Sequence, residues 1–321
     1  MNIKFFIGPM SKNIVDAIIE FQLSSSIYVG LIPSRRQIEF NGGYCNNWTT
    51  KEFSEYAKGL IIKRDHSGPG QGNLDDDGYV SLSYDCKHFD YIHIDPWKKY
   101  PLYSDGLKWT KDMISYCYNL NPKIKFEIGT EQSIRHFEPS ELDNLVRDLK
   151  KSLPESSYRN IEYLVIQSGT SLSSTSNTGI YDRDRLISMI QIAKKHNLKS
   201  KEHNGDYIPE HLIYEKMELG LDSINIAPEF GLVETQTYLD EIKDPKILDR
   251  FWEICFESKR WVKWVTDEFD PLKEKIQLIK ICGHYVLSQK EFINNVKIHF
   301  PKIDFKIKNN IKTKLNSLHG L

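Results

Sequence analysis

Short apolar runs alternate with stretches of helical periodicity over the first three quarters of the chain. Eight such runs recur about every 30 residues, a spacing typical of repeated βα units. They are NIKFFIG from Asn2, SIYVGLI from Ser26, GLIIKRD from Gly59, YIHID from Tyr91, IKFEIGT from Ile124, EYLVIQSG from Glu162, LKSKEHNG from Leu198 and DSINIAP from Asp222. Helical patterns lie between them, as from Ser11 to Phe21 and from Asp182 to His196, each opening on a residue suited to an N-cap.

The alternation of strands and helices predicts a parallel sheet. Eight units over about 240 residues favour a closed barrel over an open sheet. A dinucleotide-binding open sheet usually carries a GxGxxG turn after its first strand, and FFIGPMSKN has none. We therefore predict an α/β fold in which residues 1–242 form a (β/α)8 TIM barrel.

The pattern changes after residue 242. The segment KILDRFWEICFESKRWVKWV predicts one long aromatic helix, and PLKEKIQLIKICGHYVLSQKEFINNVKI continues without alternating strands. We predict that residues 243–321 form a helical C-terminal extension, packed on the barrel or on a partner subunit. The tail FKIKNNIKTKLNSLHGL is basic and rich in asparagine, and we expect it to be a solvated terminal segment.

Charge and cysteine content exclude several classes of protein. Lys and Arg number 43 and Asp and Glu 44, so the formal net charge is −1 and favours neither nucleic acid nor an anionic membrane. No apolar run approaches the roughly 18 residues of a membrane span, and the N-terminus lacks the features of a signal peptide. Five scattered cysteines without CxxC spacing favour free thiols. We expect a cytoplasmic protein that binds neither nucleic acid nor a membrane.

Polar residues end most of the predicted strands, where the active sites of such barrels lie. These residues are Arg36, Gln37, Asp65, His66, His93, Asp95, Glu131, Gln167, Ser168, His203 and Asn225. Two histidines with Asp and Glu can bind a borderline-soft divalent cation, which would polarise a substrate carbonyl or hydroxyl. An adjacent carboxylate could move a proton. Asp65 and Asp95 could instead cap helices, and the position of His93 inside a strand favours a core histidine.

Six segments carry a family resemblance. They are IPSRRQIEFNGGYCNNWTTKEF from Ile32, RDHSGPGQG from Arg64, YIHIDPW from Tyr91, EIGTEQ from Glu127, KEHNGDYIP from Lys201 and INIAPEFGLVET from Ile224. In this order they resemble the accessory subunits of tagatose-bisphosphate aldolase, the non-catalytic, Z-type family also named tagatose-6-phosphate kinases. That family is similar in turn to the class II, metal-dependent ketose-bisphosphate aldolases, which are (β/α)8 barrels, and some of its relatives act as ketose 4-epimerases.

The resemblance implies roles for several residues. Asp65 would be the catalytic acid/base, with His66 and His203 as ligands of a divalent metal, zinc in the first place. The aldolases take a third histidine from strand six, where this chain has none, so Gln167 or Glu131 would complete the site. Their phosphate turn after strand seven is also missing here. Asp206 stands in that turn and would repel phosphate, so a phosphate would bind elsewhere, at Arg35 or Arg36, or the substrate would lack it.

Two hypotheses follow. The first is a metal-dependent enzyme that uses retro-aldol chemistry on a ketose or its phosphate, with Asp65 and Glu131 as catalytic residues. Its substrate contacts would come from Arg36, Gln37, Asp95, Ser168 and Asn225. The second is a non-catalytic subunit that stabilises a separate tagatose-bisphosphate aldolase, or a homo-oligomer, through the aromatic C-terminal helices.

A sugar kinase needs a cradle for the ATP phosphates. The hydroxyl-rich loop from Ser168 to Gly179 could contact phosphate but lacks the GxxxxGK[ST] pattern. We therefore do not expect a kinase. Stoichiometric metal would distinguish the enzyme from the accessory subunit.

Overall fold

The structure is a computed structural model that describes residues 3–173 and 175–321. Asn2, where the first predicted run begins, and Ser174, in the predicted phosphate loop, lie outside the described residues together with Met1. The described chain forms eight parallel strands with helices between them, followed by further helices. This confirms the predicted α/β TIM barrel with a helical C-terminal extension.

Every strand overlaps one of the predicted apolar runs. The strands are β1 (Phe5–Ile7), β2 (Gly30–Leu31), β3 (Lys63–Ser67), β4 (Tyr91–Ile94), β5 (Lys125–Ile128), β6 (Ile161–Ile166), β7 (Lys199–Glu202) and β8 (Ser223–Ile226). The buried, β-branched and aromatic positions of these runs explain the agreement, because a strand of a barrel is covered on both faces.

The sheet runs in the order β2-β1-β8-β7-β6-β5-β4-β3. Its two outer strands approach each other through the parallel bridges Leu31 to Ile62 and Ser34 to Asp65. In addition, the Asp65 N–H donates to the carbonyl of Pro33 at 3.1 Å. These contacts nearly close the barrel, so the carboxyl ends of all eight strands meet at one rim.

The helices around the barrel follow the predicted periodicity. They are α1 (Lys12–Ser25), α2 (Thr50–Tyr56), α3 (Tyr79–His88), α4 (Tyr103–Leu120), α5 (Pro139–Ser152), α6 (Glu155–Tyr158), α7 (Arg183–Lys195), α8 (Glu210–Glu218) and α9 (Pro228–Glu241). The two predicted N-caps are confirmed. The Ser11 side chain accepts from the Ile14 N–H at 3.3 Å, and the Asp182 side chain from the Arg185 N–H at 2.9 Å.

The extension contains α10 (Pro245–Glu257), α11 (Lys275–Cys282), α12 (Lys290–Asn295) and α13 (Ile303–His319), with 3₁₀ turns at Val262–Trp264, Gly283–Tyr285 and Lys297–His299. The single long helix predicted for this region is wrong beyond Glu257. Lys259 adopts a left-handed conformation with φ of 54°, and the chain reverses so that the ring of Trp261 stacks on Phe256. A division into two domains after residue 242 stays a prediction.

The expectation of a solvated tail is also wrong. Residues 303–319 form helix α13, which buries one stripe of side chains: Ile303, Ile307, Ile311, Leu315 and Leu318. Helix α13 packs against α1 and α9, and its Lys308 and Lys312 pair with Glu20 of α1 at 2.5 and 3.0 Å. A spacing of four residues between apolar positions marks one helical face, and this outweighs the polar composition of the segment.

Two further sequence observations have structural counterparts. All five cysteines are buried free thiols, in agreement with the prediction. Among the described residues, no helix combines the length and the apolar character that crossing a membrane requires.

Candidate metal centre at the rim of the barrel

Four side chains converge where strands β3, β4 and β7 end. Asp65, His66, His93 and His203 each offer one ligand atom, and these four atoms all lie within 4.8 Å of one another. The imidazole centroids of His66 and His93 are 5.0 Å apart, those of His66 and His203 5.0 Å, and those of His93 and His203 4.8 Å. Imidazole nitrogens with a carboxylate oxygen form a donor set suited to zinc and similar divalent cations.

Each histidine is held in place through one ring nitrogen. His66 Nδ1 donates to Asp95 Oδ2 at 2.6 Å, and His203 Nε2 lies 2.7 Å from Glu127 Oε1. The second nitrogens, His66 Nε2 and His203 Nδ1, lie 3.9 and 3.8 Å from the Asp65 carboxylate. Metal-bound histidines typically donate their outer N–H to a carboxylate in this way, which fixes the ring orientation.

His93 completes the group from strand β4. Its Nε2 donates to the carbonyl oxygen of Gly129 at 2.9 Å, which leaves a lone pair on Nδ1. That lone pair accepts the backbone N–H of His66 at 3.2 Å. His93 is buried and has partners, as expected of a core histidine, yet its ring contacts both other histidines. The sequence analysis favoured a core histidine because His93 lies inside a strand, and a single sequence does not show that two other histidines pack against its ring.

An irregularity in β3 lets two consecutive residues share the site. In a regular strand Asp65 and His66 would point to opposite faces. The register of β3 against β4 shifts between Arg64 and Ser67, and His66 has a φ of 42°. Such a local distortion re-aims a side chain, as β-bulges commonly do at active sites.

The carboxylates determine the ionisation of the histidines. Burial lowers the pKa of His66, but the charges of Asp65, Asp95 and Glu131 outweigh this and raise it to about 10. Burial lowers the pKa of His93 to about 4, so this ring is neutral. Metal ligation requires a deprotonated nitrogen, so a bound cation would replace the proton on His66.

A buried ionic group lies beneath His203. The Glu127 carboxylate accepts from Lys63 Nζ at 2.5 Å and lies 3.2 Å from Lys201 Nζ. The Lys63 ammonium also lies 3.5 Å from the centroid of the Tyr163 ring. Burial raises the pKa of Glu127, but the charges of Lys201 and Lys63 lower it well below the usual value. Glu127 therefore stays ionised and holds His203. Sequence reasoning missed these lysines, although charges inside the runs KRDHS and KSKE were a signal.

Asn225 is the predicted substrate contact that lies against the cluster. Its Nδ2 donates to Asp65 Oδ1 at 3.3 Å. Its Oδ1 is buried and has no hydrogen-bond partner among the described residues. An unpaired buried acceptor costs free energy unless a bound molecule satisfies it. This carbonyl oxygen can accept from a substrate hydroxyl.

The structure does not bring Gln167 into the cluster. Its Nε2 donates to the backbone carbonyls of Thr130 and Arg135 at 2.8 Å each, and its Oε1 accepts from the N–H of Phe137 at 3.0 Å. The carboxamide is thus fully used in holding the loop after β5, and no lone pair faces a metal.

Glu131 also lies outside the group of four. Its carboxylate accepts from the Ser133 hydroxyl at 2.6 Å, although its charge is close enough to raise the pKa of His66. The residue that joins Asp65, His66 and His203 in this group is His93 and neither Gln167 nor Glu131.

Three other predicted substrate contacts are engaged by the protein. The carboxylate of Asp95 accepts from His66, Thr130 and the amide of Gln71. The hydroxyl of Ser168 bonds to Glu202 and Lys216. The amide oxygen of Gln37 accepts from the Ser34 N–H at 2.7 Å. All three are buried, so they support the rim and do not present free polar groups to it. The Asp95 carboxylate orients His66.

The two neighbouring arginines after β2 differ. Arg35 is buried and saturated, with Nε at 2.6 Å from Glu39 and its two terminal nitrogens at 2.8 and 2.7 Å from Asp76. Arg36 is half-buried and makes one long contact, with Nε 3.5 Å from the carbonyl of Gly72. Of the two predicted phosphate ligands, only Arg36 is available to a ligand.

The turn after β7 is closed to anions by Asp206. Its Oδ1 accepts the backbone N–H groups of Ala227 and Glu229 at 2.9 and 2.8 Å, where α9 begins. Burial raises the pKa of Asp206 to about 8. The carboxyl group therefore occupies the N–H groups to which a phosphate could otherwise bind. Asn177, in the loop after β6, contacts the same turn, since its side-chain amide donates to the carbonyls of Asn204 and Asp206.

No protein-family model matches the chain, and no curated protein sequence matches it either. The solved structures give three informative comparisons. A "probable tagatose 6 phosphate kinase" from Sinorhizobium meliloti 1021 has a TM-score of 0.76 at 14% identity, covering 100% of both chains. The YdjI aldolase from Escherichia coli K12 has a TM-score of 0.58 at 11% identity, covering 99% of this chain and 90% of that one.

The third comparison is with the glycerol-complexed fructuronate-tagaturonate epimerase UxaE from Cohnella laeviribosi. Its TM-score is 0.63 at 12% identity, covering 99% of this chain and 81% of that one. At such low identities the likeness shows the fold alone. The chain thus has the fold of carbohydrate aldolases and of an epimerase, in agreement with the resemblance found in the sequence.

Proposed function

We propose that the chain is a metal-dependent carbohydrate enzyme that uses retro-aldol and aldol chemistry on a ketose or a ketose phosphate. The observation that carries the proposal is the group of three histidines and Asp65, whose ligand atoms lie within 4.8 Å of one another. Two of the histidines are oriented by carboxylates, as metal ligands usually are. A barrel that served only as a scaffold would have no use for such a group at its rim.

The donor atoms fit a divalent cation, zinc in the first place. His66 and His203 would hold it together with His93, whose Nδ1 would exchange the His66 N–H for the cation and so replace the histidine that strand six lacks. Bound there, the cation supplies Lewis-acid stabilisation of negative charge on a substrate carbonyl oxygen. Asp95, Glu127 and the carbonyl of Gly129 keep the three rings oriented.

Asp65 is the group that moves the proton. Its carboxylate accepts the proton of the substrate hydroxyl on the carbon where the C–C bond breaks, and the bond electrons pass to the carbonyl half as an enediolate. The hydroxyl carbon becomes an aldehyde. In the reverse step the enediolate attacks this aldehyde and Asp65 returns the proton. Asn225 orients Asp65 through Nδ2, and its free Oδ1 accepts from a substrate hydroxyl.

One first step serves two reactions. If the aldehyde leaves, the chain is a class II aldolase-like lyase. If the bound aldehyde rotates and presents its other face before the C–C bond re-forms, the configuration of the hydroxyl carbon inverts and the chain is a ketose 4-epimerase. The similar structures include an aldolase and an epimerase, so we retain both reactions.

The test is metal analysis by elemental mass spectrometry before and after chelation, followed by a screen of ketoses and ketose phosphates. We expect about one divalent cation per chain and metal-dependent turnover. Asp65→Asn should abolish turnover, by at least about 10²-fold, with the metal retained. Asp75→Asn, which alters an exposed loop carboxylate, is the matched control. Absence of metal binding, or full activity of Asp65→Asn, would refute the mechanism.

A second candidate is a non-catalytic subunit of a separate tagatose-bisphosphate aldolase, and one observation favours it. The extension exposes large apolar side chains, with Leu272 61%, Ile298 65% and Phe305 67% accessible. Such side chains can contribute to a subunit interface with an aldolase or with a second copy of the chain. A subunit of this kind would purify without a stoichiometric cation and would raise the activity of the aldolase in a mixture.

A further inference from the structure

A polar cavity of about 340 Å³ lies between α1, α9 and the C-terminal extension. Charged side chains from all three regions line it, together with Tyr238 of α9, and Leu287 and Ile293 of the extension supply apolar contacts. None of the residues of the histidine cluster is among the lining residues that the structure describes. The cavity is therefore separate from the candidate metal centre.

The ammonium groups on the wall of this cavity already have carboxylate partners. The pairs are Lys12 with Asp16 at 2.8 Å, Lys297 with Asp304 at 2.8 Å and Lys308 with Glu20 at 2.5 Å. Glu234 is the carboxyl group left over, because no Lys, Arg or His nitrogen within residues 3–173 and 175–321 lies within 4.0 Å of it. When Glu234 is ionised, the wall thus lacks one positive charge.

Neutral donors alone hold the Glu234 side chain. Glu234 is 2% exposed, and its two oxygens accept from the Ser11 hydroxyl and from Asn13 Nδ2, the latter at 2.8 Å. Burial outweighs these bonds and raises the pKa of Glu234 to about 7. Each carboxylate oxygen has two lone pairs, so both oxygens can accept a further bond. A cation beside this group would stabilise its ionised form.

The Tyr238 hydroxyl is a second unused acceptor. Tyr238 is 1% exposed, and its ring packs edge-on against Phe251 and Phe292, with centroids 6.3 and 5.0 Å away. Burial, together with the charges of Glu234 and Asp304, raises the pKa of Tyr238, so its hydroxyl lies near both carboxyl groups. The hydroxyl has no hydrogen-bond partner in the described part of the chain. A buried hydroxyl of this kind costs free energy unless solvent or a ligand bonds to it.

Asp304 supplies the third acceptor. Its Oδ1 accepts from Asn13 Nδ2 at 2.9 Å and from Lys297 Nζ at 2.8 Å, whereas its Oδ2 has no partner among the described residues. The charge of Asp304 also acts on Glu234. Two carboxyl groups and one phenol oxygen are therefore neighbours on the wall, and each has an unused lone pair.

We propose that this cavity binds a small organic molecule through a primary ammonium group. Such a group has three N–H donors, which match the acceptors of Glu234, Asp304 and Tyr238, and its single charge completes the ion pairs of the wall. The cavity is far larger than one inorganic cation needs, since a water molecule takes about 30 Å³ of liquid volume. Leu287 and Ile293 can contact the methylene groups of the ligand. The inference goes beyond the proposed function and does not depend on it.

The test measures binding by isothermal titration calorimetry on the full chain. The probes are 6-amino-1-hexanol and hexane-1,6-diol, which have the same number of heavy atoms and differ in charge. A chelator is present, because an amine can also ligate zinc. We expect the amine to bind and the diol to show no binding at the same concentrations. Because Glu234 must ionise, the affinity for the amine should rise by about tenfold from pH 6 to pH 8, with release of a proton at pH 6.

Two variants assign the binding to this cavity. Glu234→Gln should weaken the amine by at least about tenfold and abolish the dependence on pH. Tyr238→Phe removes one acceptor, so it should weaken the amine by about fivefold while the dependence on pH remains. Asp249→Asn, which removes an exposed carboxylate of α10, is the control for a change of net charge and should bind as the wild type does.

Several results would overturn the proposal. They are equal binding of the diol, unchanged affinity in Glu234→Gln, and displacement of the amine by potassium chloride at equal concentration, which would assign the cavity to an inorganic cation. Amine binding that occurs only after metal is added would place the amine at the histidine cluster. That result would overturn this site and leave the proposed enzyme intact, whereas amine binding to a protein without turnover would refute only the enzyme.

Discussion

Two groups of buried charge lie at the rim of the barrel, and the protein completes only one of them. In the first, the Glu202 carboxylate bonds to Lys216 Nζ at 2.6 Å, to Thr170 at 2.9 Å and to Ser168. Every charge in this group has a partner from the same chain. In the second, around Asp65, carboxylates occupy the outer nitrogens of His66 and His203, and the inner nitrogens face a common centre.

The comparison teaches that burial and position at the rim do not identify a site. Ser168 follows β6 and Asp65 lies near the end of β3, but the first belongs to a satisfied network, whereas the second belongs to a group in which the inner nitrogens of His66 and His203 lie 3.9 and 3.8 Å from its carboxylate, too far for a hydrogen bond. A complete network stabilises the fold and offers nothing to a ligand. A group whose donors are oriented and unused can bind one. The predictions below test this difference, in order of decreasing effect.

Substitutions in the complete group, around Glu202, should lower the stability of the fold. Lys216→Met leaves the Glu202 carboxylate buried without its cation, so we expect a loss of about 3–5 kcal/mol in the free energy of unfolding, measured by denaturant titration. Metal content should not change. Because the penalty comes from the unpaired charge, Glu202→Gln/Lys216→Met should recover part of the loss. A double variant no more stable than the single one would show that packing, not charge, is responsible.

Glu234, a buried carboxyl group outside both groups, has no cation in hydrogen-bond contact among the described residues. It accepts from the Ser11 hydroxyl and from Asn13 Nδ2 at 2.8 Å, and burial raises its pKa to about 7. As pH rises from about 4.5 to 7, the unfolded chain ionises this group before the native state does. Native stability should therefore fall by up to about 3 kcal/mol over this range, and level off above pH 7.

Unfolding titrations of the wild type and Glu234→Gln across pH 4–8 measure this effect. Other titrating groups contribute equally to both proteins, so the difference between the two curves isolates Glu234. A difference that does not change with pH would show that the native carboxyl group is not held in its neutral form.

Substitutions in the second group, the histidines around Asp65, should lower the affinity for a divalent metal. His203→Ala removes a ligand, and we expect the affinity for zinc to fall by at least about 100-fold, since loss of even an outer hydrogen-bond partner costs about 10- to 100-fold. The fold should persist, because Lys63 and Lys201 still neutralise Glu127. Competition with a fluorescent zinc chelator measures the change.

The control for His203→Ala is His196→Ala. His196 Nε2 also lies 2.6 Å from a carboxylate, that of Asp143, but away from the cluster. It should bind zinc as the wild type does. If both variants lost zinc equally, general destabilisation and not ligation would explain the result.

The smallest effect should come from Glu131. Because its carboxylate lies outside the group of four, Glu131→Gln should change zinc affinity by less than about tenfold, or 1.4 kcal/mol. The remaining effect reflects its charge near His66. The same competition with a fluorescent zinc chelator measures this change. A loss of zinc affinity as large as that of His203→Ala would show that Glu131 is a ligand.

Local signals in the sequence were sufficient for the barrel. The apolar runs, their spacing and the caps Ser11 and Asp182 act between residues close in the chain, so a single sequence shows them. The same holds for the candidates Asp65 and His66, near the end of β3, and for His203, which directly follows β7. The four-residue spacing of the apolar side chains on α13 was also present in the sequence. The sequence analysis weighed the polar composition of this segment instead of that spacing.

The sequence by itself determined the barrel of repeated βα units, the rim where polar residues gather, and three of the four residues that cluster there, namely Asp65, His66 and His203. Only the tertiary structure showed that His93, and neither Gln167 nor Glu131, lies with these three residues, because the contacts of His93 and Gln167 come from segments distant in the chain. It also decided that Arg35 pairs with Glu39 and Asp76, whereas Arg36 makes one long contact, with the carbonyl of Gly72. Whether a polar group is already bonded within the protein or remains available to a ligand depends on hydrogen bonds and ion pairs between distant segments. These contacts form only in the closed barrel, so no local sequence pattern reveals them.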